Sequence, residues 1–224
     1  MSNLDNIFKI VATNYDLSDS YPLLTTIEGQ KRLSLANEAL DYIQDFFPFF
    51  ETRKQTTIST GTNSNKIILP TDIYKGRIIL NEKREVKNSE GNIFYFVENL
   101  TQQDNKDDYC ILNYDFVNDR YELIFYPDTN TNFSVTFTYQ TKNVVRNGST
   151  LKSKFDNVND ITLLDHFAIA NYIIAKLHLA DEELEQYTLY WNFLNNELER
   201  LKRNQLSHTF ATNLNRKMKN NFYF

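Results

Sequence analysis

Apolar and polar positions change their period twice along this chain. Before about Asp45 and after about Asp160 apolar residues recur at helical spacing, and from about Thr56 to Gln140 they alternate like strands. Leu4, Ile7, Phe8 and Val11 fall at i, i+3, i+4 and i+7 and predict a short amphipathic helix. Asp16 to Pro22 is turn-rich. Thr25-Thr26-Ile27-Glu28 matches a Ser/Thr-x-x-Glu capping box, and the helix after it carries Leu33, Ala36, Leu40, Ile43 and Phe47 on one stripe, widened by Leu35 and Ala39. Pro48 ends that helix, because its ring clashes with the preceding turn and it donates no hydrogen bond. The apolar cluster Phe46–Phe50 reads as a helix end plugged into the core, with a subunit contact as the alternative.

Strands are expected at Thr56–Thr60, Lys66–Leu69, Arg77–Leu80, Ile93–Glu98, Tyr109–Tyr114, Tyr121–Tyr126 and Phe133–Gln140. In the last, Phe133, Val135, Phe137 and Tyr139 share one face, and Ser134, Thr136, Thr138 and Gln140 the other. Turn-formers at Asn118-Asp119 and from Pro127 to Asn132 predict a three-stranded antiparallel meander over Tyr109–Tyr139. Asn81–Gly91 and Thr101–Asp108 read as charged, solvated loops.

Asp160 is placed as the cap of a helix that is apolar on most of its circumference: Ile161, Leu164, Ala168, Tyr172, Ala175 and Leu179 form one seam and Leu163, Phe167, Ala170, Ile174 and Leu177 another. Leu184, Tyr187, Trp191, Leu194, Leu198 and Leu201 then step by three and four. That stripe is too short for an independent coiled coil, so it must pack on the other helices or on a neighbouring copy. After Ser207 the periodicity fades, and Thr209–Phe224 reads as an arm.

These readings give an α+β chain in which a helical bundle formed by N- and C-terminal helices carries an inserted antiparallel β domain and an extended C-terminal arm. The expected parts are 1–52 and 151–206 for the helical platform, 53–150 for the β domain and 207–224 for the arm.

The chain has 224 residues, 41% of them hydrophobic and 24% charged, values of a folded domain and not of a disordered chain. Aromatic residues reach 14%, so much of the packing must be aromatic. Only five glycines occur, which leaves almost no room for Gly-rich phosphate loops. The Asn, Lys and Ile richness is that of an AT-rich genome. Cys110 is the only cysteine, in a run that reads as a buried strand, so an internal disulfide is impossible. The N-terminus has no signal-peptide pattern and no stretch is long enough to span a bilayer, so a soluble protein made in a cytoplasm, without membrane contact, is expected.

Charge is uneven. The 199 residues before Arg200 carry 18 basic and 29 acidic residues, a net −11, whereas Arg200 to Phe224 carries six basic residues and no acid. Such asymmetry suggests an arm that contacts something acidic. Its candidate contact residues are Arg200, Lys202, Arg203, Phe210, Arg216, Lys217, Lys219, Phe222, Tyr223 and Phe224. A docked arm on an acidic neighbouring subunit is favoured over nucleic acid, because the body is acidic and a duplex binder usually is not. Candidate helix-packing residues of an interface are Leu184, Tyr187, Trp191, Leu194 and Leu198.

Chemistry is sparse. Asp128-Thr129-Asn130-Thr131-Asn132 opens like a calcium loop, but Phe133 and Tyr139 stand where that loop needs Gly and Glu. His166 and His178 lie about 18 Å apart along a helix and cannot share a metal; His178 pairs with Asp181 or Glu182 on a helix surface in this reading. Asp107-Asp108 lies in a charged loop and reads as solvation. Walker, dinucleotide, Gly-x-Ser-x-Gly and Cys-x-x-Cys motifs do not occur, so no catalytic, cofactor or metal residue is assigned and a non-enzymatic role is expected.

The order of parts resembles the head–tail connector (adaptor) proteins of tailed bacteriophages, above all the ring proteins below the portal in short-tailed phages. The resemblance rests on Leu33-Ser34-Leu35-Ala36-Asn37-Glu38-Ala39-Leu40, Ile67-Ile68-Leu69-Pro70-Thr71-Asp72, Tyr121–Pro127, Phe137-Thr138-Tyr139, His166–Ala170 and the Trp191 helix. It covers most of the chain through short motifs. At Phe46–Phe50 the chain departs from the Gly-Trp-x-x-Asn pattern of some relatives, and an AT-rich genome would suit a crAss-like phage. The resemblance implies a virion protein without cofactor: a closed ring, of twelve copies in the expected case, that joins portal to tail. Its implied partners are other copies, the portal, other tail or ring proteins, and DNA passing through the lumen without sequence specificity. An acidic body would keep such a lumen from gripping DNA. The alternatives are a β domain that binds a glycan or peptide through Tyr95, Tyr109, Tyr126 or Tyr139, and an enzyme without a recognisable motif.

Overall fold

A computed structural model of the chain describes residues 2–61, 64–80, 83–97, 108–126 and 132–220, the last fourteen of these as backbone only. The elements in chain order are α1 (Leu4–Val11), α2 (Ile27–Phe46), β1 (Arg53–Ser59), β2 (Lys66–Ile68), β3 (Ile73–Ile79), β4 (Glu85–Lys87), β5 (Ile93–Val97), β6 (Tyr109–Asp115), β7 (Arg120–Tyr126), β8 (Ser134–Thr141), β9 (Val145–Asn147), β10 (Thr150–Lys152), β11 (Ile161–Thr162), α3 (His166–Ala180) and α4 (Leu184–Asn220). The class is α+β. Two units form, one from Met1–Thr52 with Asn143–Phe224 and one from Arg53–Lys142. The β domain therefore stops earlier than 150: β9, β10 and β11 form a small antiparallel sheet inside the helical unit.

In the helical unit, Asn3 caps α1 by accepting from Asn6 N–H at 3.0 Å, and Leu4, Ile7, Phe8 and Val11 are fully buried. One wide π-helical turn, Ala12–Asp16, follows and ends at Leu17 with φ +53°. The cap of α2 sits one residue later than the sequence suggested. Thr26 Oγ1 accepts from Gly29 N–H at 3.1 Å, which places Gly29, not Glu28, at the third helical position, and no capping box forms. Glu28 instead approaches Arg32 at 3.7 Å. Arg32, only 2% exposed, lies on the buried side of α2 because Asp16 holds its guanidinium through two bonds of 2.7 and 2.8 Å. After α2 ends, Phe46, Phe47 and Phe49 plug into the helical core while Phe50 stays exposed.

Asp160 does not cap α3. Asp165 does, accepting from Ala168 N–H at 2.9 Å, because β11 occupies Ile161–Thr162 and delays the helix. Asp160 is fully buried and ties a turn together: its carboxylate accepts from Asp156 N–H, Asn157 N–H and Asn147 Nδ2 at 2.9 Å each and pairs with Lys152 at 2.7 Å. Its carbonyl also accepts from Leu4 N–H at 2.9 Å, joining the start of α1 to the distant C-terminal third. The extended arm is likewise corrected: α4 keeps a helical backbone to Asn220, and no Pro or Gly occurs between Ser207 and Asn220 to break it.

The other unit is a two-sheet sandwich with strand orders β1–β8–β3 and β2–β7–β6–β5–β4 around one core. All seven expected strands occur, and β4 adds one where a charged loop was expected. The meander is not three-stranded: β6 and β7 pair, but β8 crosses to the other sheet and lies between β1 and β3. Nor is the unit purely antiparallel. β5 and β6 run parallel, which the connection of about a dozen residues between them permits. β8 buries Val135, Phe137 and Tyr139 as its alternation requires, and Phe94, Phe125 and Phe133 meet at centroid distances of 4.9 to 5.7 Å. Gln140, assigned to the polar face, is fully buried and accepts from Arg77 at 3.0 Å.

Candidate interaction surfaces

The α4 stripe is mostly spent inside its own unit. Leu194 and Leu198 are fully buried, and Trp191 sits among Tyr42, Tyr172 and Tyr187 at 5.2, 5.9 and 5.7 Å. Tyr172 donates to Glu38 at 2.7 Å, and burial, reinforced by that carboxylate, raises its pKa above the usual phenol range. Leu184, at 63% exposure, lies outside this core.

Arg200 and Lys202, near the end of the described side chains, are held by acids of the same helix, and Arg203 by a backbone carbonyl. Arg200 pairs with Glu197, Lys202 with Glu199 at 3.4 Å, and Arg203 donates to the Glu199 carbonyl at 3.2 Å. Lys202 also lies 5.4 Å from the Phe46 ring. These contacts answer part of the charge asymmetry, since Glu197 and Glu199 stand just before the acid-free run. Phe210, Arg216, Lys217 and Lys219 sit on helical backbone, and Phe222, Tyr223 and Phe224 lie outside the described residues.

At the other end of α4, Tyr15, His178, Asp181 and Glu183 form a cluster. His178 bonds Glu183, not Asp181 or Glu182, through Nδ1 at 2.7 Å. Its ring stacks on Tyr190 at 5.5 Å and meets the edge of Tyr15 at 5.0 Å, so it is a core histidine and not a solvated one. Tyr15 donates to Asp181, and burial together with that hydrogen bond raises its pKa above the usual phenol range. Tyr15 and His178 line a cleft of about 660 Å³ together with Leu17 and Leu184.

Three tyrosines of the β unit fall in register across the larger sheet. Tyr95 pairs with Tyr109 and Tyr109 with Tyr126, the latter two stacked at 4.8 Å with rings 13° apart. Tyr139, named with them from the sequence, is on the core side, 5% exposed, and donates to Asp72 at 2.8 Å. Asp72, from the Leu-Pro-Thr-Asp stretch, also holds Lys54 at 2.6 Å and Thr141 at 2.9 Å. Burial raises its pKa, but the three hydrogen bonds outweigh that and hold it below the usual range.

Among the described residues no group of three His, Cys, Asp or Glu side chains is placed to hold a metal, and no helix is long and apolar enough to cross a membrane. The calcium-like stretch 128–131 and Asp107 lie outside the described residues. Cys110 is fully buried, and burial pushes its thiol up to about 12. No protein-family model matches the chain, and no curated protein matches it.

Proposed function

We propose that this chain is a structural virion subunit of a tailed bacteriophage, one copy in an adaptor ring that joins portal to tail and lets DNA through. The observation that carries this reading is the composite helical unit. Residues 1–52 and 143–224 form one unit, and the residues between them in sequence form a separate β sandwich, the order of parts that the connector resemblance implies. The partners are other copies of the chain, the portal and adjoining tail proteins, and no reaction is assigned. Native mass spectrometry of the purified chain, alone and with a portal protein, tests it. Rings, or assembly that needs the portal, are expected; a monomer that ignores the portal refutes it.

The tyrosine register of β5, β6 and β7 favours a second reading, in which the β unit binds a glycan or peptide. Aromatic faces stack on sugar rings and fill peptide pockets, and Tyr109 and Tyr126 already share one orientation. A monomeric chain retained on a glycan array, with retention lost in Tyr126→Ala, would favour this over the ring.

A further inference from the structure

Asn147 is the one asparagine of the chain that is followed by glycine. The pair sits where β9 turns into β10. Asn147 is paired with Thr150, so only Gly148 and Ser149 lie between the strands. Gly148 has φ +57°, which suits the first residue of a two-residue hairpin loop, and a Cβ built there would meet nothing within 4 Å. Asn147, Gly148 and Ser149 are exposed, and the Gly148 N–H makes no hydrogen bond to any described residue. A backbone nitrogen that is free and carries no neighbouring side chain meets little hindrance in attacking the amide carbon of the asparagine before it.

The Asn147 side chain is held at its nitrogen. Nδ2 donates to Asp160 Oδ1 at 2.9 Å, and Asp160 is the fully buried carboxylate that also takes Asp156 N–H, Asn157 N–H and the Lys152 ammonium. The carbonyl of Asp160 receives Leu4 N–H. The Asn-Gly pair is thus one hydrogen bond away from the turn that ties the start of the chain to its C-terminal third.

We propose that Asn147 is a self-modification site, converted to aspartate and isoaspartate by its own backbone, and that the conversion loosens the Asp160 turn. Gly148 N bonds to Asn147 Cγ while the Cγ–Nδ2 bond breaks. The Gly148 proton passes to the departing nitrogen, which leaves as ammonia. The succinimide that remains takes up one water and opens at either carbonyl, giving aspartate or its β-linked isomer. The inference goes beyond the ring reading and does not need it. Loosening follows from charge. Lys152 already serves two acids, Asp156 and Asp160. A carboxylate at position 147 makes three acids around one ammonium, and it replaces a donor to Asp160 with an acceptor. The isomer also adds a backbone carbon at the residue that pairs with Thr150, which spoils the register of β9 on β10.

Peptide mapping of the full chain, held warm at about pH 8 for weeks, tests it. Trypsin cuts after Arg146 and Lys152 and isolates Asn147–Lys152, which contains one asparagine. That peptide gains the mass of an amide-to-acid exchange, splits into two forms on chromatography and converts ahead of every other asparagine peptide. The rate rises with pH, because the attacking nitrogen must lose its proton. Gly148→Ala slows conversion severalfold. Asn147→Asp, which installs one product directly, lowers the melting midpoint by about 4 °C or more. An Asn147 that stays intact in the native chain while the urea-unfolded chain converts it would mean that the hairpin protects it, and the proposal fails. Conversion that Gly148→Ala leaves unslowed, or an Asn147→Asp variant that melts with the wild type, overturns it as well. Should Gly148→Ala not fold, the comparison of native with unfolded wild type still decides.

Discussion

Asp160 offers a sharp test of how the two ends of the chain are held together. Its carboxylate is fully buried and accepts two backbone N–H groups of the 156–160 turn, the Asn147 amide and the Lys152 ammonium. The turn it closes lies directly before β11, and its own carbonyl receives Leu4 N–H. Asp160→Ala removes two charge-assisted backbone bonds of about 1.5 kcal/mol each. The Lys152 pair adds little, because Lys152 is partly exposed and keeps Asp156. The expected loss is about 3 kcal/mol, or about 6–12 °C in melting midpoint for a chain of this size. Trp191 is the only tryptophan and packs, partly buried, against the helical core, so its emission during urea unfolding reports this unit. The carboxyl also gives the effect a pH signature. Burial raises its pKa, but the hydrogen bonds from Asp156, Lys152, Asn157 and Asn147 outweigh that and lower it in the folded state. A depressed folded pKa contributes stability that is full above the unfolded value of about 3.9 and is lost as pH falls through the folded one. The gap between wild type and Asp160→Asn is therefore constant from pH 7 to 5 and shrinks below about pH 4. A cost under about 1 kcal/mol for the alanine variant, or a gap that persists to pH 2, would refute this account.

Three shorter tests address other assignments. Thr26→Ala costs about 1 kcal/mol in thermal unfolding followed by circular dichroism, while Thr25→Ala costs almost nothing; the reverse result would restore the capping box. Gly76 has φ +68° and an added Cβ would stand 2.7 Å from the Tyr121 ring, so Gly76→Ala costs about 2–3 kcal/mol; Gly91→Ala, with φ +89° and open space around it, costs about 1 kcal/mol, and equal losses would mean that the Tyr121 contact is not tight. The Cys110 thiol, buried and raised in pKa, reacts with a disulfide reagent only as fast as the β unit opens, so labelling under native conditions runs far below that of a free thiol and rises with urea; rapid labelling in buffer would place it outside the core.

What the residues disclosed by themselves was periodicity. The 3.6-residue repeat of Leu4, Ile7, Phe8 and Val11 and the two-residue repeat of β8 report a face each, and burial follows both. What stayed hidden depends on distant partners. Thr25 and Thr26 are equally good caps by composition, and only the turn from Leu23 to Thr26 selects the second. Asp160 looks like a cap because helical residues follow it, yet β9 draws Ile161 and Thr162 into a strand first. β4, β9, β10 and β11 are two or three residues long, too short for alternation to register. The destination of β8 is likewise unreadable, since a hairpin turn and a crossover between sheets begin with the same turn-formers.

The manner of insertion carries one more consequence. The β unit leaves the helical unit at Thr52 and returns at Asn143, and these junctions abut β1 and β8, which are antiparallel neighbours with Arg53 opposite Gln140. Directly paired residues of adjacent antiparallel strands lie about 4.5–5.5 Å apart. The gap left in the helical unit by removing the insertion is therefore short. The helical unit has its own core, in which α1 and α2 pack against α3, and the β unit has another. A chain joining Thr52 to Asn143 through two or three glycines should accordingly fold, with Trp191 packed against Tyr42 and a cooperative urea transition, and Arg53–Lys142 alone should fold with Cys110 protected. In contrast, residues 1–52 alone leave the apolar face of α1 without α3 and should be unfolded, since isolated helices of 8 and 20 residues are marginal in water. If the joined helical chain has solvent-exposed Trp191 and no cooperative transition, the two ends do not form an autonomous unit, and the insertion is structurally required instead of carried.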